Sequence, residues 1–149
     1  MPDPPAAAAD GNRAGRPYPG GVASDTTGLT VLGATVRAPI EHVEVFPAPA
    51  HVVEVRLTSA ELTSMCPVTA QPDLSTIVVT YVPDEWCVET KSLKLYLWGF
   101  RDRAVFAEAL AAEIAGEIMA TARPHRVRVD LTQQPRGGIV VSATAELTA

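Results

Sequence analysis

From Leu29 onward the chain falls into short blocks whose hydrophobic period changes along its length. In "VVEVRL", Val53, Val55 and Leu57 fall on one side and Glu54 and Arg56 on the other, the period-two pattern of a half-buried strand. "STIVVTYV" is β-branched and bounded by Pro72 and Pro83, which predicts a second strand. From Thr90 the period lengthens. Leu93, Leu97 and Phe100 recur at helical spacing, and Phe106, Leu110, Ile114 and Ile118 stand four apart until Pro124 stops the run. "HRVRVDL" and "GGIVVSATAEL" alternate again, with "QPRGG" as the turn between them. The order strands, two helices, strands predicts an α+β domain with both helices on one face of an antiparallel sheet. So small a sheet has open edges that must be covered or paired. Association into a ring is therefore expected, with a site between subunits, because one such domain offers little concave volume of its own.

Composition changes the picture first at the N-terminus. The first 28 residues hold five Pro, five Gly and six Ala and almost no large apolar side chain, so residues 1–28 are expected to form a disordered tail and 29–149 a single folded domain. The 149 residues, 47% hydrophobic, suffice for one domain with a modest core. A net charge of −5 and a pI near 5.1 give no general attraction to nucleic acid or an anionic membrane, so any nucleotide-like partner must be recognised in a pocket. No apolar run reaches the roughly 18 residues of a membrane span, and no basic start with an apolar stretch marks a secretory signal. A cytoplasmic location is expected, where Cys66 and Cys87 are reduced thiols rather than a bridge.

Candidate chemistry is sparse when each residue is taken alone. In "SMCPVTAQPD", Cys66 stands against a proline in the loop between the first two strands, and Asp73 follows behind another proline. A loop thiol can be exposed, yet most free cysteines are buried and inert, and aspartate is an ordinary turn residue. None of the histidines, His42, His51 and His125, is near Cys66 in sequence, and Cys87 reads as packed structure. Neither C-x-x-C nor H-x-x-x-H spacing occurs, so no metal site is expected. Glu89, Lys91 and Lys94 surround the start of the first helix, where N–H groups and ammonium groups can hold a phosphate or simply face water. Arg136 precedes Gly137 and Gly138, a pair that permits close ligand approach or forms a hairpin turn. Glu108 lies about 200° round the helix from Phe106 and so faces a partner subunit or solvent.

Taken in order, "TSMCPVTAQPD", "YVPDEWCVETKSLKLYL", "FRDRAVFAE" and "QPRGG" resemble the NADPH-dependent 7-cyano-7-deazaguanine reductases, the nitrile reductases of the queuosine pathway. The resemblance runs from about Leu29 to the C-terminus and matches the short, single-repeat branch, which implies the tunnelling fold and a ring-shaped homo-oligomer with sites between subunits. It implies that Cys66 adds to the nitrile as a thioimide and that Asp73 supplies the proton. By the same resemblance Val88, Glu89, Thr90, Ala107 and Glu108 meet the 7-cyano-7-deazaguanine base. Lys91, Ser92, Lys94, Arg136 and Gly137 meet NADPH. Neither direct nucleic-acid binding nor membrane binding is implied. The chain departs from the family pattern at Ala107, where histidine is usual, at Asp102, where asparagine is usual, and at Thr90, where serine is usual. An amidine-forming transferase acting on the same nitrile and a non-reducing deazapurine-binding ring protein remain as alternatives.

Overall fold

The computed structural model describes residues 29–149; the tail expected over residues 1–28 lies outside the described residues. Eight elements follow in chain order: β1 (Val45–Pro47), β2 (Val55–Met65), β3 (Pro72–Val82), β4 (Trp86–Val88), α1 (Thr90–Trp98), α2 (Ala107–Ala122), β5 (Arg126–Gln133) and β6 (Ser142–Thr148). An antiparallel four-stranded sheet has the order β2-β3-β5-β6, and β1 pairs with β4 in a separate two-stranded ribbon. The helices pack on one face of the large sheet, α2 over β5 and β6 and α1 beside β2, as the change of period predicts.

Alternation decides which face is buried. Ile77, Val79 and Tyr81 of β3 and Val127, Val129 and Leu131 of β5 are all almost fully buried under the helices. Each such side chain contributes about 1.5–3 kcal/mol relative to exposure. From α2 they meet Leu110, Ala111, Ile114, Ala115, Ile118 and Ala122. The opposite face is polar: Arg128 pairs with Asp130 at 2.8 Å and approaches Glu146 at 3.8 Å.

Two strand boundaries and one helix boundary differ from the pattern. β2 begins at Val55, opposite Tyr81, and Val53 is 77% exposed, because the chain leaves a left-handed turn at His51 (φ 71°) and reaches the sheet only at Val55. β2 then continues to Met65 through a bulge between Ser59 and Leu62, which shifts the inward positions by one residue and hides the alternation of "TSAELTSM". Phe106 is the residue before α2 and is 57% exposed, so the buried stripe starts at Ala107 and Leu110.

Candidate active site

The β2–β3 hairpin builds the first cluster. Met65 pairs with Pro72 and Ser64 with Asp73, so Cys66 and Asp73 stand at the two stems of the connecting loop. Cys66 lies two residues beyond Ser64, and the strand period therefore turns both side chains toward the same face. The loop is closed by the Cys66 amide on the Gln71 carbonyl (2.9 Å) and the Ala70 amide on the Cys66 carbonyl (3.0 Å). Cys66 is 9% exposed and Asp73 6%.

Arg136 joins them from the β5–β6 hairpin. Its Nη2 lies 2.9 Å from Asp73 Oδ1, and its Nη1 donates to Thr69 Oγ1 and Gln71 Oε1, each at 3.2 Å. Local sequence aims it there. Arg136 and Ile139 exchange both backbone hydrogen bonds at 3.1 Å across Gly137 (φ 58°) and Gly138 (φ 81°), a tight turn that needs two left-handed residues. Of the two readings of "PRGG", the hairpin turn is formed, and nothing lies within 4 Å of where a β-carbon would stand at Gly137 or Gly138. The Gln134 amide, 2.7 Å from the Leu74 carbonyl, ties that hairpin to β3.

The electrostatic consequence falls on sulfur. A hydrogen bond from the Thr69 hydroxyl, then one from Arg136, then the amides of Thr69 and Val68 stabilise the Cys66 thiolate and lower its pKa from 9.0 to about 6. Burial raises it and is the smallest of these effects. At neutral pH Cys66 is therefore a nucleophile held beside a carboxyl group. On the inner side of Asp73, Ser64 and Ser75 are 0% and 2% exposed, and neither hydroxyl has a hydrogen-bond partner among the described residues.

The start of α2 reaches the same end of the sheet. The Met65 amide donates to the Arg103 carbonyl (2.8 Å) and the Val105 amide to the Met65 carbonyl (3.1 Å), which draws residues 106–108 alongside the Cys66 loop. Glu108 is exposed there, whereas Ala107 is 3% exposed and belongs to the core of its own chain.

The remaining candidates gather elsewhere. Val88 ends β4, its amide donating to Tyr81 Oη at 2.9 Å. Glu89 caps α1, its two carboxylate oxygens accepting from the amides of Lys91 (2.8 Å) and Ser92 (2.7 Å). Lys91 Nζ donates to the carbonyls of Val31 and Ala34. Ser92 is fully buried; its Oγ accepts from the Glu44 amide at 2.9 Å and donates to the Glu89 carbonyl at 2.7 Å. Thr90 and Lys94 are exposed. A cleft of about 460 Å³ opens over this cluster, lined by Leu29, Leu32, Phe46, Tyr81, Val88 and Thr90 among others.

The expected site residues thus form two groups. Val55, opposite Tyr81, lies at the Val88 end of β2, and Met65 lies at the Cys66 end, ten residues on, about 30 Å along an extended strand. One chain does not bring its thiol to its own Val88–Thr90 cleft. Sequence reasoning missed Thr69 and Gln71 and the place of Arg136 beside Cys66. Thr69 stood in the quoted loop, but no local pattern signals its contact with Arg136, 67 residues away.

A low-pKa thiolate, an arginine and a buried carboxylate on an α+β scaffold define a protein equipped for nucleophilic addition. The model of the QueF-like protein family matches residues 72–149, and the chain belongs to that family. It is similar to the NADPH-dependent 7-cyano-7-deazaguanine reductase of Granulibacter bethesdensis, 40% identical over 126 residues that cover 80% of this chain and 82% of the relative. The protein of that name from Alkalilimnicola ehrlichii is 43% identical over 112 residues, covering 72% and 85%. That from Thermomicrobium roseum is 43% identical over 105 residues, covering 69% and 82%. Among solved structures, an archaeosine synthase QueF-Like in the apo form superposes with a TM-score of 0.61 at 25% identity, covering 64% of this chain and 93% of that one.

Proposed function

We propose that this protein reduces the nitrile of 7-cyano-7-deazaguanine to an aminomethyl group with NADPH, through a thioimide on Cys66. The observation that carries the reading is the triangle of Cys66, Arg136 and Asp73: a thiolate suited to add and, within reach of the same guanidinium, a carboxyl group suited to relay a proton. The sulfur adds to the electrophilic nitrile carbon, and the Asp73 carboxyl protonates the nitrogen. The relatives that carry this reductase name at 40–43% identity support the substrate and the cofactor.

NADPH, when bound, supplies the hydride for each of two successive reductions. The donors present fit its phosphates in part. Lys94 and Arg136 present cations at the surface, whereas Lys91 is tied to backbone carbonyls and Ser92 is enclosed. For the substrate, Glu108 offers a carboxylate to the amino and ring N–H groups of the base, and the Val88–Thr90 cleft offers apolar walls. Because the two groups stand at opposite ends of β2, the complete site forms between copies of the chain. β2 and β6, the outer strands of the sheet, are the natural seams of a tunnelling-fold ring.

The test is incubation of the purified protein with 7-cyano-7-deazaguanine, with and without NADPH, followed by mass spectrometry of protein and product. The nitrile alone adds its full mass to the peptide containing Cys66, and NADPH converts the adduct to free aminomethyl product. Labelling that persists in Cys66→Ala would refute the assignment. Similarity to the archaeosine synthase QueF-Like favours one second reading, amidine formation with ammonia, which the same assay repeated with an added ammonium salt reveals as an amidine mass independent of NADPH.

A further inference from the structure

In the proposed reaction negative charge moves from one protein atom to another. The step requires the Cys66–Asp73 pair to enter it with one proton between them, carried to the Asp73 carboxyl as the charge comes to Cys66 Sγ. As the S–C bond forms, one C≡N π bond opens, the Asp73 O–H breaks, its proton becomes the N–H of the thioimide, and the charge is left on the carboxylate. No proton or electron enters from outside. A burial of 6% exposure makes an uncompensated charge on Asp73 expensive.

We propose that Arg136 is the counter-ion for both ends of this transfer, a catalytic role in the covalent step that is separate from any contact with cofactor phosphate. Resting on the nitrile-reduction reading, the role follows from where the guanidinium sits. One of its nitrogens is 2.9 Å from Asp73 Oδ1, the other holds Thr69 and Gln71 of the Cys66 loop at 3.2 Å, and from there it lowers the pKa of the Cys66 thiol. A planar fork bridges such a set of acceptors without moving, which the single ammonium of lysine does not. The other charged groups at this end are placed differently. Arg103, on the segment bonded to Met65, is held by both oxygens of Glu113 (2.7 and 3.0 Å), and Glu108 is an exposed anion that would repel the thiolate. Among the described residues Arg136 is thus the cation placed to neutralise sulfur first and carboxylate afterwards.

Two measurements without NADPH isolate the role. The first is the rate of nitrile adduct formation, and the second is the pH profile of iodoacetamide alkylation at Cys66. Arg136→Gln is expected to slow adduct formation about 10- to 100-fold, less than the loss of a fully enclosed oxyanion donor because the guanidinium is partly exposed. The same variant moves the alkylation midpoint upward from about 6. Arg136→Lys, which keeps charge but loses the fork, falls between the two in both measurements. Circular dichroism verifies that the variants are folded, as an exposed hairpin position leads one to expect. Unchanged adduct rate and unchanged midpoint, with only the KM for NADPH raised, would overturn the proposal and leave Arg136 a cofactor contact. If the unaltered protein takes up no nitrile while Arg136→Gln still moves the midpoint, the substrate reading fails and the arginine's hold on the thiolate stands. An unmoved midpoint in that case removes both.

Discussion

Ala70 carries the backbone cost of the Cys66 loop. With φ at 55° it occupies the left-handed region, where a β-carbon costs about 1–2 kcal/mol, so that its amide can close on the Cys66 carbonyl. Glycine at this position removes the strain but widens the unfolded ensemble by about 0.5–1 kcal/mol. The two nearly cancel, with strain the larger. Ala70→Gly is expected to stabilise the protein slightly, by about 0.5 kcal/mol, and chemical denaturation will show it as a small upward shift of the midpoint at unchanged slope. A drop in the midpoint would mean that the loop does not hold Ala70 in this conformation.

At the scale of elements, α1 shows what Glu89 does for the fold, apart from the binding that resemblance implies. Glu89 is 5% exposed and answers two of the amides that open the helix, while Ser92 and Lys91 bind the chain back to residues 31–44. Glu89→Ala leaves those amides unanswered in a buried place. It should cost about 1–2 kcal/mol of stability, read as a lower melting temperature in the absence of any ligand. A residue that only contacts substrate would leave the ligand-free melting temperature unchanged. Glu89→Gln keeps one oxygen acceptor and should retain most of the stability while weakening any contact that requires a carboxylate.

At the scale of the whole molecule, the proposed reaction together with the distance between the Cys66 cluster and the Val88–Thr90 cleft makes a specific prediction: each working site takes its thiol from one chain and its cleft from another. Complementation tests this. Cys66→Ala chains and Thr90→Trp chains, the second with an indole filling the cleft that exposed Thr90 lines, are each expected to be inactive or nearly so alone and are co-refolded in equal amounts. If neighbours share sites, random mixing restores about a quarter of the activity of unaltered protein. No recovery in verified mixed oligomers would place the whole site within a single chain and refute the shared arrangement.

The α+β order, the two helices and the buried stripe of Leu110, Ile114 and Ile118 were legible in the chain because periods of 2 and 3.6 are local properties. Motif order, likewise readable from one end to the other, pointed to the family. What lay beyond reach was whatever depends on pairing at a distance. The bulge near Ala60 concealed the second half of β2, and the three-residue β1 and β4 are too short to show a period. The meeting of Arg136 with a loop 63–70 residues earlier depends on the turn at Gly137 and Gly138 and on β5 lying beside β3. Sequence by itself determined which residue types were available for the chemistry. Tertiary structure decided which of them meet, because strand register and hairpin geometry, not distance along the chain, set a thiol, a guanidinium and a carboxylate within hydrogen-bonding reach.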